Sequence, residues 1–329
     1  FAKDTHSTGS KAALIGGTTS FIEMCCPNRT MDLVDGYEEW KEKAAGNAAC
    51  DYGFHMAVPK WEDGVTSSQL DKIISDGTTS FKIFLAYKDF FGVYDDELFK
   101  VLSYAAKHGI ITTAHTENAE AVAQMQAQLL SEGKTGPEYH EASRPDYVEA
   151  SGVDHFATFL ELTGAEGYVV HLSNARALAE AMKARHRGVK LGVEAVIPHL
   201  ILDRSYPEKP DFEGAKYIMS PPLRGKSDQA ALWNGLSTGL VDTVATDHAP
   251  FDFNGQKDMG KDDFTKIPNG IPAIEDRINL LYTYGVSRGP LSLERFVEVG
   301  STNAAKFFGL FPKKGTLRVG ADADLVIYD

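Results

Sequence analysis

Lys82 lies in the middle of Thr78-Thr79-Ser80-Phe81-Lys82-Ile83-Phe84-Leu85-Ala86-Tyr87, a run of apolar and β-favouring residues where a lysine has little structural business. Downstream, three more strand-like runs each end in a side chain able to hold a metal: His115, His171 and Asp247. An ammonium repels cations, so lysine is ordinarily a poor ligand. Burial favours the neutral amine, and a neutral amine can take up carbon dioxide as a carbamate with two oxygen donors. Taken singly, each residue reads better as a structural side chain, a snorkelling lysine or an ordinary core histidine, than as a ligand. One lysine, two histidines and one aspartate on successive strands point instead to a carbamate-bridged metal centre.

Imidazole and carboxylate donors suit zinc, with manganese or cobalt as substitutes. A bridging carbamate would hold two metals close enough to share one hydroxide and lower its pKa towards neutrality. Asp247 would act as a ligand and carry the proton to the leaving nitrogen. Tyr87, on the loop after Lys82, would donate its phenol hydrogen to a developing oxyanion. The other histidines carry less. His6, His108, His140, His155 and His186 fall in expected helices or loops and read as structural or solvated. His55 and His199 are expected near the mouth, and His248 is expected to point away from the metals and brace a loop.

These side chains need a scaffold that brings them together. Strand and helix patterns alternate nearly throughout, the mark of βα units and a parallel sheet. Strands are expected over 18–25, 52–58, 78–87, 110–115, 167–171, 189–197 and 242–246. Helices are expected over 10–15, 35–49, 67–76, 95–108, 119–132, 148–162, 175–185, 229–239, 273–284 and 293–308. The proline-bearing stretch 203–225 is expected to lie over a site. Seven strands are one short of a (β/α)8 TIM-type barrel, and the first helix looks like the partner of an absent first strand. Since the chain starts at Phe1, its true beginning is expected upstream. The last residues alternate apolar and polar positions. The expected organisation is therefore a barrel over 1–312 and, over 313–329, a strand returning to a small β-sandwich. In such barrels the active site lies at the carboxyl ends of the strands, where all four residues can point into one mouth.

Charge excludes other classes. The 329 residues carry 33 Lys+Arg against 46 Asp+Glu, a formal net charge of −13, which argues against nucleic acid or an anionic membrane surface as the main partner. No apolar run approaches membrane-spanning length, and no signal peptide is visible. Cys25, Cys26 and Cys50 form no disulfide framework, so a reducing compartment, the cytoplasm, is expected.

Several segments together carry a resemblance. Thr79-Ser80-Phe81-Lys82-Ile83-Phe84-Leu85-Ala86-Tyr87-Lys88 is similar to the carboxylated-lysine motif of the dihydropyrimidinase and hydantoinase family of cyclic amidohydrolases. Ala114-His115-Thr116-Glu117-Asn118, Gly136-Pro137-Glu138-Tyr139-His140, Val170-His171-Leu172-Ser173 and Thr246-Asp247-His248-Ala249-Pro250-Phe251 resemble further motifs of that family. Ser220-Pro221-Pro222-Leu223-Arg224 and Asn269-Gly270-Ile271-Pro272-Ala273-Ile274-Glu275-Asp276-Arg277 resemble its substrate loops. The tail from Gly315 to Ile327 resembles the strand that re-enters its β-sandwich, so the likeness covers essentially the whole chain.

The resemblance implies two zinc ions per complete site, with carboxylated Lys82 as the bridging ligand. His115 and His171 would hold one zinc, and Asp247 the other while serving as general base and acid. Tyr87 would stabilise the oxyanion, and main-chain groups of Ser220 and Asn269 would grip the ureide edge of the ring. The implied reaction is hydrolysis of the cyclic amide of dihydropyrimidines or 5-substituted hydantoins to N-carbamoyl amino acids, by attack of a metal-bridging hydroxide. The implied assembly is a homotetramer. Allantoinase and dihydroorotase are the alternatives within this class; the latter would want a basic group for a carboxylate, such as Arg144, Arg224 or Arg277. A non-catalytic scaffold like the collapsin response mediator proteins is the alternative of another class, but it would lack metal ligands that this sequence has. The family also places a His-x-His pair on its first strand. None occurs here, and loss of that strand accounts for it.

Overall fold

The computed structural model describes residues 2–327. Seven parallel strands, β1 (Ser20–Cys25), β2 (Asp51–Ala57), β3 (Ser80–Phe84), β4 (Ile111–His115), β5 (Gly167–Val169), β6 (Leu191–Val196) and β7 (Thr243–Ala245), lie side by side in chain order. Helical segments link successive strands, as parallel pairing demands. The sheet is a half-barrel of the α/β barrel kind: among the described residues β1 pairs only with β2, and β7 only with β6.

Strand alternation decides which side chains face the helices and which face the barrel interior. Phe81 and Ile83 on β3, Ala114 on β4, Val169 on β5, Val193 and Ala195 on β6 and Val244 on β7 join one large core with helix residues such as Leu98, Val101 and Leu102. The intervening residues Ser80, Lys82, Thr113, His115, Tyr168, Glu194 and Thr243 therefore share the opposite, inner face. Contacts across that face agree: His55 meets Ser80 at 2.7 Å, and the Tyr168 hydroxyl contacts both Glu194 and Thr243. Lys82 pairs in register with Ala57 and Thr113, so it lies inside the barrel and has no path to snorkel outwards.

Helix limits follow local chemistry. The helix Asp95–His108 has three acidic residues in its first turn and ends on Gly109 at φ 66°, as its sequence pattern predicts. Its apolar face, Leu98, Val101, Leu102 and Ala105, recurs at helical spacing and is buried. Three expectations need correction. The helix expected from 273 begins only at Arg277, because the Ala273 and Ile274 N–H groups donate to His248 Nδ1 instead. The single helix expected over 293–308 is interrupted by a π-turn, Glu298–Thr302, which opens the Gly300 carbonyl to Arg277. A short helix, Ile197–Ile201, directly continues β6 and takes the residue expected to end the strand 189–197.

The strand expected over 313–329 does not form over 313–327, because no strand lies beside this segment to take its backbone hydrogen bonds; Tyr328 and Asp329 fall outside the described residues. It is tied down by charge instead. Lys314 Nζ reaches Asp324 at 2.6 Å, Asp322 at 3.1 Å and Asp51, beside β2, at 2.5 Å. No helix among the described residues is long and apolar enough to cross a membrane.

Candidate metal centre

His115 closes β4, but His171 and Asp247 lie two residues beyond their strands, and Tyr87 three beyond β3. The strands stop early because the backbone hooks there. Tyr87, His171 and Asp247 adopt left-handed φ of 57°, 41° and 48°, three of the five non-glycine residues that do so among those described. Such a conformation costs on the order of 1–3 kcal/mol and persists only where surroundings enforce it. Those surroundings are visible. The His171 N–H leaves the ladder to donate to the Glu194 carboxylate at 3.0 Å. The Tyr87 carbonyl accepts from Phe90, Phe91 and Gly92, each at 2.9 Å, closing a tight turn. A Cβ at position 92 would meet the Ala86 carbonyl oxygen at 2.4 Å, so that turn requires glycine. His248 braces the loop after Asp247, as its position suggests, contacting Asp4 at 2.6 Å through Nε2.

The two histidines touch, with His115 Nδ1 3.0 Å from His171 Nε2. On its other side His115 Nε2 lies 2.8 Å from Glu117, which also takes Arg144 at 2.6 Å. A carboxylate so paired can only accept, so the His115 proton sits on Nε2 and its Nδ1 lone pair faces His171. His171 then donates through Nε2, leaving a lone pair on His171 Nδ1, a buried atom with no hydrogen-bond partner. Burial holds both imidazoles below their usual pKa, helped at His171 by His115 and Lys82, so both are neutral and able to ligate.

Lys82 is 2% exposed and lies 4.8 Å from the centre of the Phe84 ring. Burial lowers its amine to about 8 against the pull of Asp247, Cys26 and Glu194. Asp247 and Glu194 share this charged interior; burial raises both, Glu194 to about 7, while Lys82 draws both down. An amine that burial eases towards neutrality, two neutral imidazoles, one with an unpartnered nitrogen, and a carboxylate form a donor set that fits a divalent metal. Elsewhere among the described residues three acidic donors converge within 4.8 Å, Asp51, Asp322 and Asp324, but Lys314 already neutralises them.

Ser220 and Asn269 stand out by what their neighbours do. The carbonyl of Met219 takes His140 Nε2 at 2.8 Å, and that of Pro221 takes His199 Nε2 at 2.9 Å. The carbonyls of Ile218, Pro268 and Gly270 all take Lys257 Nζ. Among the described residues no protein donor reaches the Ser220 carbonyl, and neither main-chain group of Asn269 has a protein partner. Ser220 is buried and Asn269 half-buried, so these free groups suit a ligand with neighbouring N–H and C=O groups.

Sequence reasoning missed Glu117, Glu194 and Lys257. Glu117 stands two residues past His115 and was within reach of a ligand-plus-carboxylate pattern; the other two carried no local signal. His55, placed near the mouth, instead packs on Phe308 with ring centres 4.7 Å apart. The arginines considered for a substrate carboxylate serve the protein. Arg224 binds Ser173, Glu149 and the Arg144 carbonyl. Arg277 binds main-chain carbonyls and Thr18.

Comparison with known proteins identifies the family and the fold. The profile of the amidohydrolase family matches residues 1–329. The D-hydantoinase of Geobacillus stearothermophilus is 45% identical over 328 residues, covering 99% of this chain and 69% of that protein. The dihydropyrimidinase of Rattus norvegicus is 38% identical, over 99% of this chain and 63% of its own length. The solved structure of a D-hydantoinase (dihydropyrimidinase) from Thermus sp. superposes with a TM-score of 0.96 at 62% identity, over 98% of this chain and 70% of that one. With the profile spanning every residue and the fold shared almost throughout, this chain belongs to the amidohydrolase family.

Proposed function

We infer that this protein is a metal-dependent cyclic amidohydrolase that opens dihydropyrimidines or 5-substituted hydantoins to N-carbamoyl amino acids. The observation that carries this is the buried His171 Nδ1, unpartnered beside neutral His115 and within the charged reach of Lys82, which Asp247 also faces. The relatives named D-hydantoinase and dihydropyrimidinase support the substrate class.

In this reading Lys82, His115, His171 and Asp247 are the protein ligands of a two-zinc centre. Lys82 would serve as a ligand in its carbamate form, which arises when the deprotonated amine adds to carbon dioxide, a nitrogen–carbon bond forms and one proton leaves to solvent. Bound zinc supplies activation of water at neutral pH and polarisation of the scissile carbonyl. Asp247 takes the proton of the attacking water and returns it to the departing ring nitrogen, a role helped by burial that raises its pKa. Tyr87 directs its phenol at the carbonyl oxygen as charge develops. The Ser220 carbonyl and the Asn269 main chain hold the ureide edge and set the ring's orientation.

The same reading divides the chain into a barrel over 1–312 and, over 313–329, a strand that joins a small β-sandwich. An eighth strand, carrying the His-x-His pair of the family, would pair with the free edge of β1. The chain spans about 70% of the length of these relatives. We also assign it to the cytoplasm, on its three free cysteines, and to a homotetramer, by family resemblance.

The decisive assay is loss of ultraviolet absorbance on ring opening of dihydrouracil by the zinc-loaded protein, with hydantoin, allantoin and dihydroorotate alongside. Turnover of dihydrouracil or hydantoin is the expected result. Turnover of allantoin or dihydroorotate alone, or of no ring with metal bound, would overturn the assignment.

A further inference from the structure

We propose that Lys257 is a substrate-positioning residue, whose ammonium fixes and polarises the two main-chain segments that bracket the ureide. This rests on the assignment of Ser220 and Asn269 to the ureide edge.

Lys257 Nζ lies 2.9 Å from the Ile218 carbonyl, 2.6 Å from that of Pro268 and 2.9 Å from that of Gly270. Three donors meet three acceptors, and the side chain is 2% exposed. No carboxylate pairs with it among the described residues; the Phe251 ring lies 5.5 Å from Nζ. A loop staple alone does not call for a buried ammonium, since a neutral donor binds carbonyls without the cost of desolvating a charge. The choice of carbonyls suggests what the charge does.

The Pro268 carbonyl and the Asn269 N–H are two ends of one peptide group. An ammonium on the oxygen withdraws electron density and makes that N–H a stronger donor. The next peptide group is treated in the opposite sense. Its Gly270 N–H donates to the Ile218 carbonyl at 2.9 Å, which makes the Asn269 carbonyl a stronger acceptor. Ile218 also accepts from Lys257, so one cation ties the Ser220 segment to the Asn269 segment and strengthens the Asn269 N–H. The matching ligand is a planar edge with adjacent C=O and N–H, a cyclic urea or imide. Burial lowers the Lys257 amine to about 7, so the ammonium is held below neutral pH and lost above it, and His140, on the Met219 carbonyl, senses the same charge.

The test uses tetrahydropyrimidin-2-one, a cyclic urea without the scissile carbonyl, as a competitive inhibitor of dihydrouracil hydrolysis by the zinc-loaded enzyme. Lys257→Met removes every donor; Lys257→Gln keeps two N–H groups and loses the charge. The Met variant should raise both the inhibition constant and KM by about tenfold or more, the Gln variant by less, equivalent to about 1.4 kcal/mol per tenfold. In both, kcat should stay within about threefold and metal content should not change. If Lys257→Met does not fold, Lys257→Gln decides. Unchanged constants in the folded variants, with only a lower Tm, would reduce Lys257 to a staple and overturn the proposal. A wild-type enzyme indifferent to the cyclic urea would overturn the ureide-edge assignment itself, and this proposal with it.

Discussion

The Glu117 carboxylate stands 2.8 Å from His115 Nε2, and both side chains are buried. Burial alone would raise the Glu117 pKa; Arg144 and His115 outweigh it and hold the group at about 2. Glu117 is thus a permanent anion that fixes which nitrogen of His115 keeps its lone pair. Such partners of a ligand are worth about 10–100-fold in metal affinity. Glu117→Gln should weaken zinc binding by that factor in a chelator competition. An unchanged affinity would show that His115 needs no such orientation.

Lys82→Ala should abolish metal binding in the enzyme carrying its full ligand set, read by metal analysis after dialysis. The variant also removes the buried cation that draws down Asp247 and Glu194, so its folding is checked alongside by circular dichroism. Retention of two metals would end the carbamate role.

Tyr87→Phe leaves the ring, whose centre is 5.4 Å from that of His115, and removes only the phenol. Turnover should fall by about 10²–10³ if the hydroxyl donates to the oxyanion. A wild-type rate would remove Tyr87 from the chemistry.

His199 offers a pH test on a residue that is not itself a proposed metal ligand, although its charge reaches His171. Burial lowers its pKa from 6.5 to about 4, with the hydrogen bond to the Pro221 carbonyl working the other way. Between about pH 6.5 and 4 the unfolded chain binds this proton and the folded one does not. Stability from this group is therefore present above pH 6.5 and lost as pH falls towards 4, by about 3 kcal/mol. His199→Gln keeps a donor for Pro221 and should flatten that part of the acid denaturation profile. An unchanged slope in urea melts across this range would refute the assignment.

Much of the fold was legible because its signals are local. Asp95–His108 announced itself by Gly109 at its end, and β3 by a run of apolar and β-favouring residues in which Lys82 was the anomaly. His115 and Lys82 were found for the same reason. Glu194 and Lys257 were not, since each acts on chain far away: Glu194 on the His171 N–H, and Lys257 on carbonyls of two other loops. Their partners exist only once the barrel has folded. The strand ends at His171 and Asp247 were set too late, because a left-handed hook leaves no trace in hydrophobic period. The tail's alternation was read as a strand, yet a strand forms only beside a partner.

Those hooks also decide which substitutions are informative. Asparagine tolerates a left-handed backbone about as well as aspartate, whereas valine and threonine resist it. Asp247→Asn therefore changes charge at constant geometry, and Tyr87→Val or His171→Thr would confound lost chemistry with a displaced loop. Screens for altered ring preference built on β-branched residues at these three positions would select against folding before they sampled specificity.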